Sequence, residues 1–239
     1  MNPLPTTQTD QLAPGPAAPL QQLLESAAKD ADFAAQVAVS DDGTSLAVTV
    51  FSSRTPWVTT PESASAWLTE AGIDATATFN DSFCIVVVLD TDAAVHRFIA
   101  AVLHPWIAVH SVAAELISLL EARGVLIEAA IDTDRIRAEL PDRSLGSSVR
   151  LAAMLGATGI SDGLALHEPD GMLRLAERIQ WLITGVVGST TRVTVEPGCA
   201  HEQEQLRLGL TLAQARLLTR RLARQQTEEA PTTRIGASQ

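Results

Sequence analysis

Residues 74–92 read DATATFNDSFCIVVVLDTD, and the fold turns on how they are parsed. Asp74–Phe79 alternates small and polar residues and predicts a strand. Asn80-Asp81 supplies a turn. Phe83–Leu89 is then continuously apolar, which predicts a central strand buried on both faces. Asp90, Thr91 and Asp92 open a helix that should reach about Leu103 and stop before Pro105. The stretch is thus a hairpin followed by a helix.

The same pattern recurs on either side. Upstream, strands near Gln36–Ser40 and Ser45–Phe51 flank Asp41-Asp42-Gly43, where Asp-Gly suits a tight hairpin turn. Thr60-Pro61-Glu62 then starts a helix with a hydroxyl cap, a first-turn proline and an acid, and Gly72 ends it. Downstream, a helix is predicted over about Val109–Ala122. Strands Val125–Ile131 and Arg135–Leu140 follow around Asp132-Thr133-Asp134. Ser144 should cap a helix ending near Leu155-Gly156. A glycine-rich loop, a short strand near Leu164–His167 and a helix from about Gly171 to Thr184 come next. Strands Thr191–Glu196 and Leu206–Leu210 complete the series. Thr211 and Gln214 form a capping box for a last helix whose stripe is Leu212, Ala215, Leu218 and Leu222.

Repeated hairpin–helix units predict an α+β fold: antiparallel sheets with helices packed on one face. The expected division is a disordered arm over 1–19, an N-terminal α+β lobe over 20–104, a C-terminal α+β lobe over 105–226 and a disordered tail over 227–239. The chain has 239 residues, 46% hydrophobic and 19% charged, ample for a core without disulfides or metals. Lys+Arg 17 against Asp+Glu 28 leaves a net charge of -11, which disfavours nucleic acid and anionic membranes. Lys29 is the sole lysine and tyrosine is absent, a usage that resembles proteins of high-GC actinobacteria. Cys84 and Cys199 form no CxxC and fit a reducing cytoplasm. The N-terminus has no basic and apolar leader, and no apolar run approaches the roughly 18 residues of a membrane span.

Several segments touch on chemistry without completing it. Cys199 and His201-Glu202-Gln203-Glu204 offer too few ligands for zinc, so no metal and no cofactor are expected. Gly185-Val186-Val187-Gly188-Ser189-Thr190 lacks the lysine of a phosphate loop and follows a helix instead of preceding one. Residues 149–163 suggest a helix-turn-helix but hold no basic recognition residue. Arg216, Arg220, Arg221 and Arg224 put a basic face on the last helix, for a docking partner or as a solvated surface. His104 and His110 flank Trp106 and would line a pocket between the lobes if the chain binds a small molecule.

Leu210-Thr211-Leu212-Ala213-Gln214-Ala215-Arg216, after a strand, an acidic loop and a strand, is similar to the end of short uncharacterised actinobacterial domains. The wider pattern resembles type III secretion chaperone-like proteins. That resemblance implies protein partners and a homodimer. The expected function is therefore a non-enzymatic, cytosolic, protein-binding adaptor, chaperone-like or regulatory protein. The alternative is a small-molecule binder or enzyme using His104, Trp106 and His110.

Overall fold

The computed structural model describes residues 18–40, 43–132, 135–198 and 203–229. It is α+β, and it divides into two compact units, Met1–Ile107 and Ala108–Gln239.

Unit 1 runs α1 (Ala18–Asp30), β1 (Ala35–Val39), β2 (Leu46–Val50), α2 (Pro61–Glu70), β3 (Ala75–Phe79), β4 (Ile85–Leu89) and α3 (Asp92–Phe98). The strands form one antiparallel sheet in the order β1-β2-β4-β3. Alternation decides what each strand buries. Leu46, Val48 and Val50 of β2 and Ile85, Val87 and Leu89 of β4 point inward, against Leu24 of α1, Leu68 of α2 and Phe98 of α3. β4 is central, as its apolar run predicts, but Val86 and Val88 stay half-exposed because the helices cover one face only. Thr60 Oγ1 accepts from Ser63 N and Thr91 Oγ1 from Ala94 N, so both predicted caps form. The edge strands β1 and β3 each meet one helix side chain: Gln21 Nε2 donates to Val37 O at 3.4 Å, and Ala77 N donates to Ser65 Oγ at 3.3 Å.

Pro105 does not end the helix that follows β4. A π-helical turn, Ile99–Leu103, joins α3 to α4 (His104–Glu121), and His104 N donates to Ile99 O. A prolyl ring clashes with the carbonyl four residues back in a regular helix, and the wider turn relieves that clash. By length and composition Asp92–Glu121 is long and apolar enough to cross a membrane, which corrects the expectation that no apolar run approaches that length, because the helix continues through Pro105. Part of its apolar surface is buried in protein. Phe98, Val102 and Leu103 lie in the core of unit 1, and Val112, Leu116 and Leu120 in that of unit 2.

Unit 2 repeats the strand order, with two helices between its hairpins where unit 1 has one. After α4 come β5 (Glu128–Asp132), β6 (Arg135–Pro141), α5 (Gly146–Met154), α6 (Pro169–Val187), β7 (Arg192–Glu196), β8 (Gln205–Thr211) and α7 (Leu212–Glu229). The sheet order is β5-β6-β8-β7, again antiparallel throughout. Ile136, Ala138 and Leu140 of β6 and Leu206, Leu208 and Leu210 of β8 face the helices. Ser144 is not the cap of α5. It adopts φ 61, and Asp142 serves instead, its Oδ2 accepting from Ser147 N at 2.7 Å and from Ser147 Oγ at 2.9 Å. No strand forms at Leu164–His167, where two irregular residues lead into a turn. Its neighbourhood is held from α6. Arg178 Nη1 donates to Ile160 O and Asp162 O, and a Cβ on Gly171 would collide with Ala165 O. α6 starts at Pro169, two residues before the Gly171 start expected from sequence, with the proline in its first turn.

The capping box of α7 forms as read. Thr211 Oγ1 accepts from Gln214 N at 3.2 Å, and Gln214 Oε1 accepts from Thr211 N at 2.9 Å. Gln214 is buried, and its Nε2 also donates to Ser189 Oγ and Thr190 O. One amide thus ties α7 to the turn before β7. Gln214→Ala is expected to lower the stability of unit 2 by about 2 kcal/mol, a cap plus a buried network. Urea unfolding followed by circular dichroism measures this. A loss below about 0.5 kcal/mol, the scale of an ordinary surface substitution, would show the network to be idle.

Candidate functional site

The residues named from sequence fall in separate places. Arg216, Arg220, Arg221 and Arg224 are exposed on α7, opposite buried Ala215, Leu218 and Leu222. None of the four pairs with a carboxylate among the described residues. His104 is exposed. Trp106 is half-buried against the core of unit 1, with the Arg54 guanidinium carbon 5.4 Å from its ring centroid. Arg54 Nη1 also meets Asp32 Oδ2 at 3.2 Å. His110 belongs to unit 2 and is half-buried. The two histidines are six positions apart along one helix, a turn of about 600°, so they leave the helix axis in directions about 120° apart. Cys199, His201 and Glu202 lie outside the described residues. Among the described residues no three His, Cys, Asp or Glu side chains cluster to hold a metal. Gly188, in the stretch compared with a phosphate loop, ends α6 with φ 71.

Two surfaces that sequence reading did not single out are built more distinctly. The first is an apolar groove of about 300 Å³ in unit 1, where β2 ends and β4 begins. Phe51, Trp57, Phe83 and Cys84 line it together with Ser52, Ser53, Thr55 and Thr59, and no lining residue is charged. Trp57 is buried and packs at 5.5 Å against Trp67. Phe83 is 84% exposed and Phe51 56%. Phe79 adds an edge-to-face contact with Phe83 at 6.4 Å.

The turn that presents Phe83 is strained. Phe83 has φ 58, in the left-handed region that a bulky side chain seldom adopts. Asn80 enforces it. Its Oδ1 accepts from Ser82 N at 3.0 Å and Cys84 N at 2.9 Å, and its carbonyl accepts from Phe83 N at 3.0 Å. An aromatic ring held outward on a strained backbone is a feature that packing does not require.

The second surface is the helix-free face of the sheet in unit 2. Alternation brings Arg135, Arg137 and Glu139 of β6, Arg207 and Gly209 of β8, and Arg192 and Glu196 of β7 to that face. Glu139 Oε1 lies 3.3 Å from Arg137 Nε and 3.0 Å from Arg207 Nε, and Arg207 also pairs with Glu196. Beyond this ladder an open cleft of about 710 Å³ is lined by Glu121, Leu126, Glu128, Glu196, Gln205 and Arg207 among others. The face was legible in outline: Arg-Ile-Arg-Ala-Glu and Leu-Arg-Leu-Gly-Leu alternate charge with apolar residues at period two.

The strain at Phe83 is open to measurement. Asn tolerates the left-handed region better than Ala, and both remove the ring. Phe83→Asn is expected to be about 1 kcal/mol more stable than Phe83→Ala in guanidinium unfolding. Equal midpoints would refute the strain.

No family model matches the chain, and no curated protein or solved structure matches it. What the protein does has to be argued from these two surfaces.

Proposed function

We propose that the chain is a non-enzymatic protein-binding protein of adaptor or chaperone-like kind, acting in the cytosol. Its contact in unit 1 is the groove rimmed by Phe51 and Phe83, and the occupant is an uncharged apolar segment of another protein. One observation carries this reading. In a chain that is 19% charged, ten residues line this groove without a single charge, and two rings stand exposed at its rim.

Exposed apolar clusters of this kind mark contact sites on proteins. Covering one phenylalanine ring is worth about 2 kcal/mol, so two rings supply a useful share of a micromolar interaction. Aromatic anchors at the centre of an apolar patch dominate the energetics of many interfaces. The hydroxyls of Ser52, Ser53, Thr55 and Thr59 add donors and acceptors for a partner backbone. The hairpin–helix pattern and its resemblance to type III secretion chaperone-like proteins point to the same kind of partner.

Phe83→p-benzoylphenylalanine, photo-activated in the full chain within its own host, tests this. The expected product is a single heterologous adduct whose captured peptide, read by mass spectrometry, is apolar and uncharged. The same substitution at exposed Trp181 should give no such adduct. Adducts only between two copies of the chain, or identical adduct patterns at both positions, would overturn the reading.

A further inference from the structure

The two units can be laid on each other strand by strand. In each, the first inward residue of the second strand faces the last inward residue of the fourth: Leu46 opposite Leu89, and Ile136 opposite Leu210. The next row outward is then fixed by register. In unit 1 it reads Ala38, Ala47, Val88, Thr76 across β1, β2, β4 and β3. In unit 2 it reads Ala130, Arg137, Gly209, Arg192 across β5, β6, β8 and β7. Where unit 1 has valine between alanine and threonine, unit 2 has glycine between two arginines.

Nothing in the fold requires that glycine. Gly209 is not among the residues with positive φ. A Cβ there would meet nothing nearer than Arg192 at 3.9 Å, an ordinary contact. Glycine weakens the interior of a strand, and a central strand is where it costs most. The equivalent Val88 shows that this fold accepts a branched side chain at the position. Glycine inside a strand often marks where another group approaches the backbone closely.

The flanking side chains say what that group is. Arg137 and Arg192 stand two strand spacings apart, about 10 Å between Cα atoms, one on each side of the gap. Arg192 is exposed and makes no ion pair among the described residues. Arg137 gives its Nε to Glu139, a carboxylate already shared with Arg207. Its terminal nitrogens have no partner among the described residues. Arginines flank Gly209 on both sides in this row, and together their planar donor forks offer more hydrogen bonds than a single carboxylate accepts, a number that suits the several oxygens of a phosphate.

We propose that the Arg137–Gly209–Arg192 row of unit 2 is a binding slot for a phosphate-class oxyanion, either free or carried on a peptide. The site is independent of the groove in unit 1 and goes beyond the reading proposed for it.

The test is a ¹H–¹⁵N NMR titration of the full chain with inorganic phosphate at constant ionic strength. Saturable shifts are expected at the Gly209 amide and the Arg192 side chain. Arg192→Gln should weaken binding about tenfold, the loss of one charge-assisted contact. Gly209→Val should abolish binding while raising Tm by about 2–4 °C, since it fills the slot and improves the strand. Arg221→Gln on α7 should change nothing. A phosphoserine peptide that binds tighter than phosphate, with its unphosphorylated form silent, would make the source peptide-borne; equal affinities would make it the free anion. The proposal fails if Gly209 shows no saturable shift, if Gly209→Val still binds, or if Arg221→Gln costs as much as Arg192→Gln.

Discussion

The pairing of β2 with β4, and of β6 with β8, is the contact on which each unit rests. It joins two hairpins, separated in sequence by helix, into one sheet. A lone hairpin is marginal in water, and only the four-stranded sheet offers a row of inward side chains long enough to bury under helices. Leu46 opposite Leu89, and Ile136 opposite Leu210, sit at the start of that row. Because side chains alternate, fixing the inward set fixes the outward set as well. The arginines of β6, β7 and β8 share a face for the same reason that Leu206, Leu208 and Leu210 share a core.

Much of this was legible in the sequence because it is local. Period-two alternation, Thr60-Pro61, Thr91 and the Thr211–Gln214 box each specify an element within a few residues, and each forms as read. The misreadings have different causes. Pro105 looks like a stop, and only the π-helical turn before it lets the helix continue. Ser144 looks like a cap, but the chain bends so that Asp142 reaches Ser147 first. Residues 164–167 look extended, yet the backbone nearby is held by Arg178 from eighteen residues downstream and so never joins a ladder.

The candidate surfaces were less legible than the fold. The basic face of α7 and the histidines near Trp106 stand out because their spacing is regular along the chain. The groove at Phe83 assembles from residues 50–59 and 83–85, which only sheet register brings together. The Arg137–Gly209–Arg192 row spans more than seventy residues of sequence. Comparing the two units replaces some of that missing information. One topology built twice shows which outward residues the architecture tolerates and which depart from it.

The strand edges of unit 1 carry a consequence for association. β5 and β7 include Glu128, Arg192 and Glu196, and charge on an edge discourages pairing with another chain. β1 reads AQVAV and β3 reads ATATF, with no charge in either. Their protection falls to two helix side chains: Gln21 on the Val37 carbonyl and Ser65 on the Ala77 amide. These small polar groups stand where other proteins place lysine. Each occupies one backbone group that a strand added at that edge would otherwise pair with.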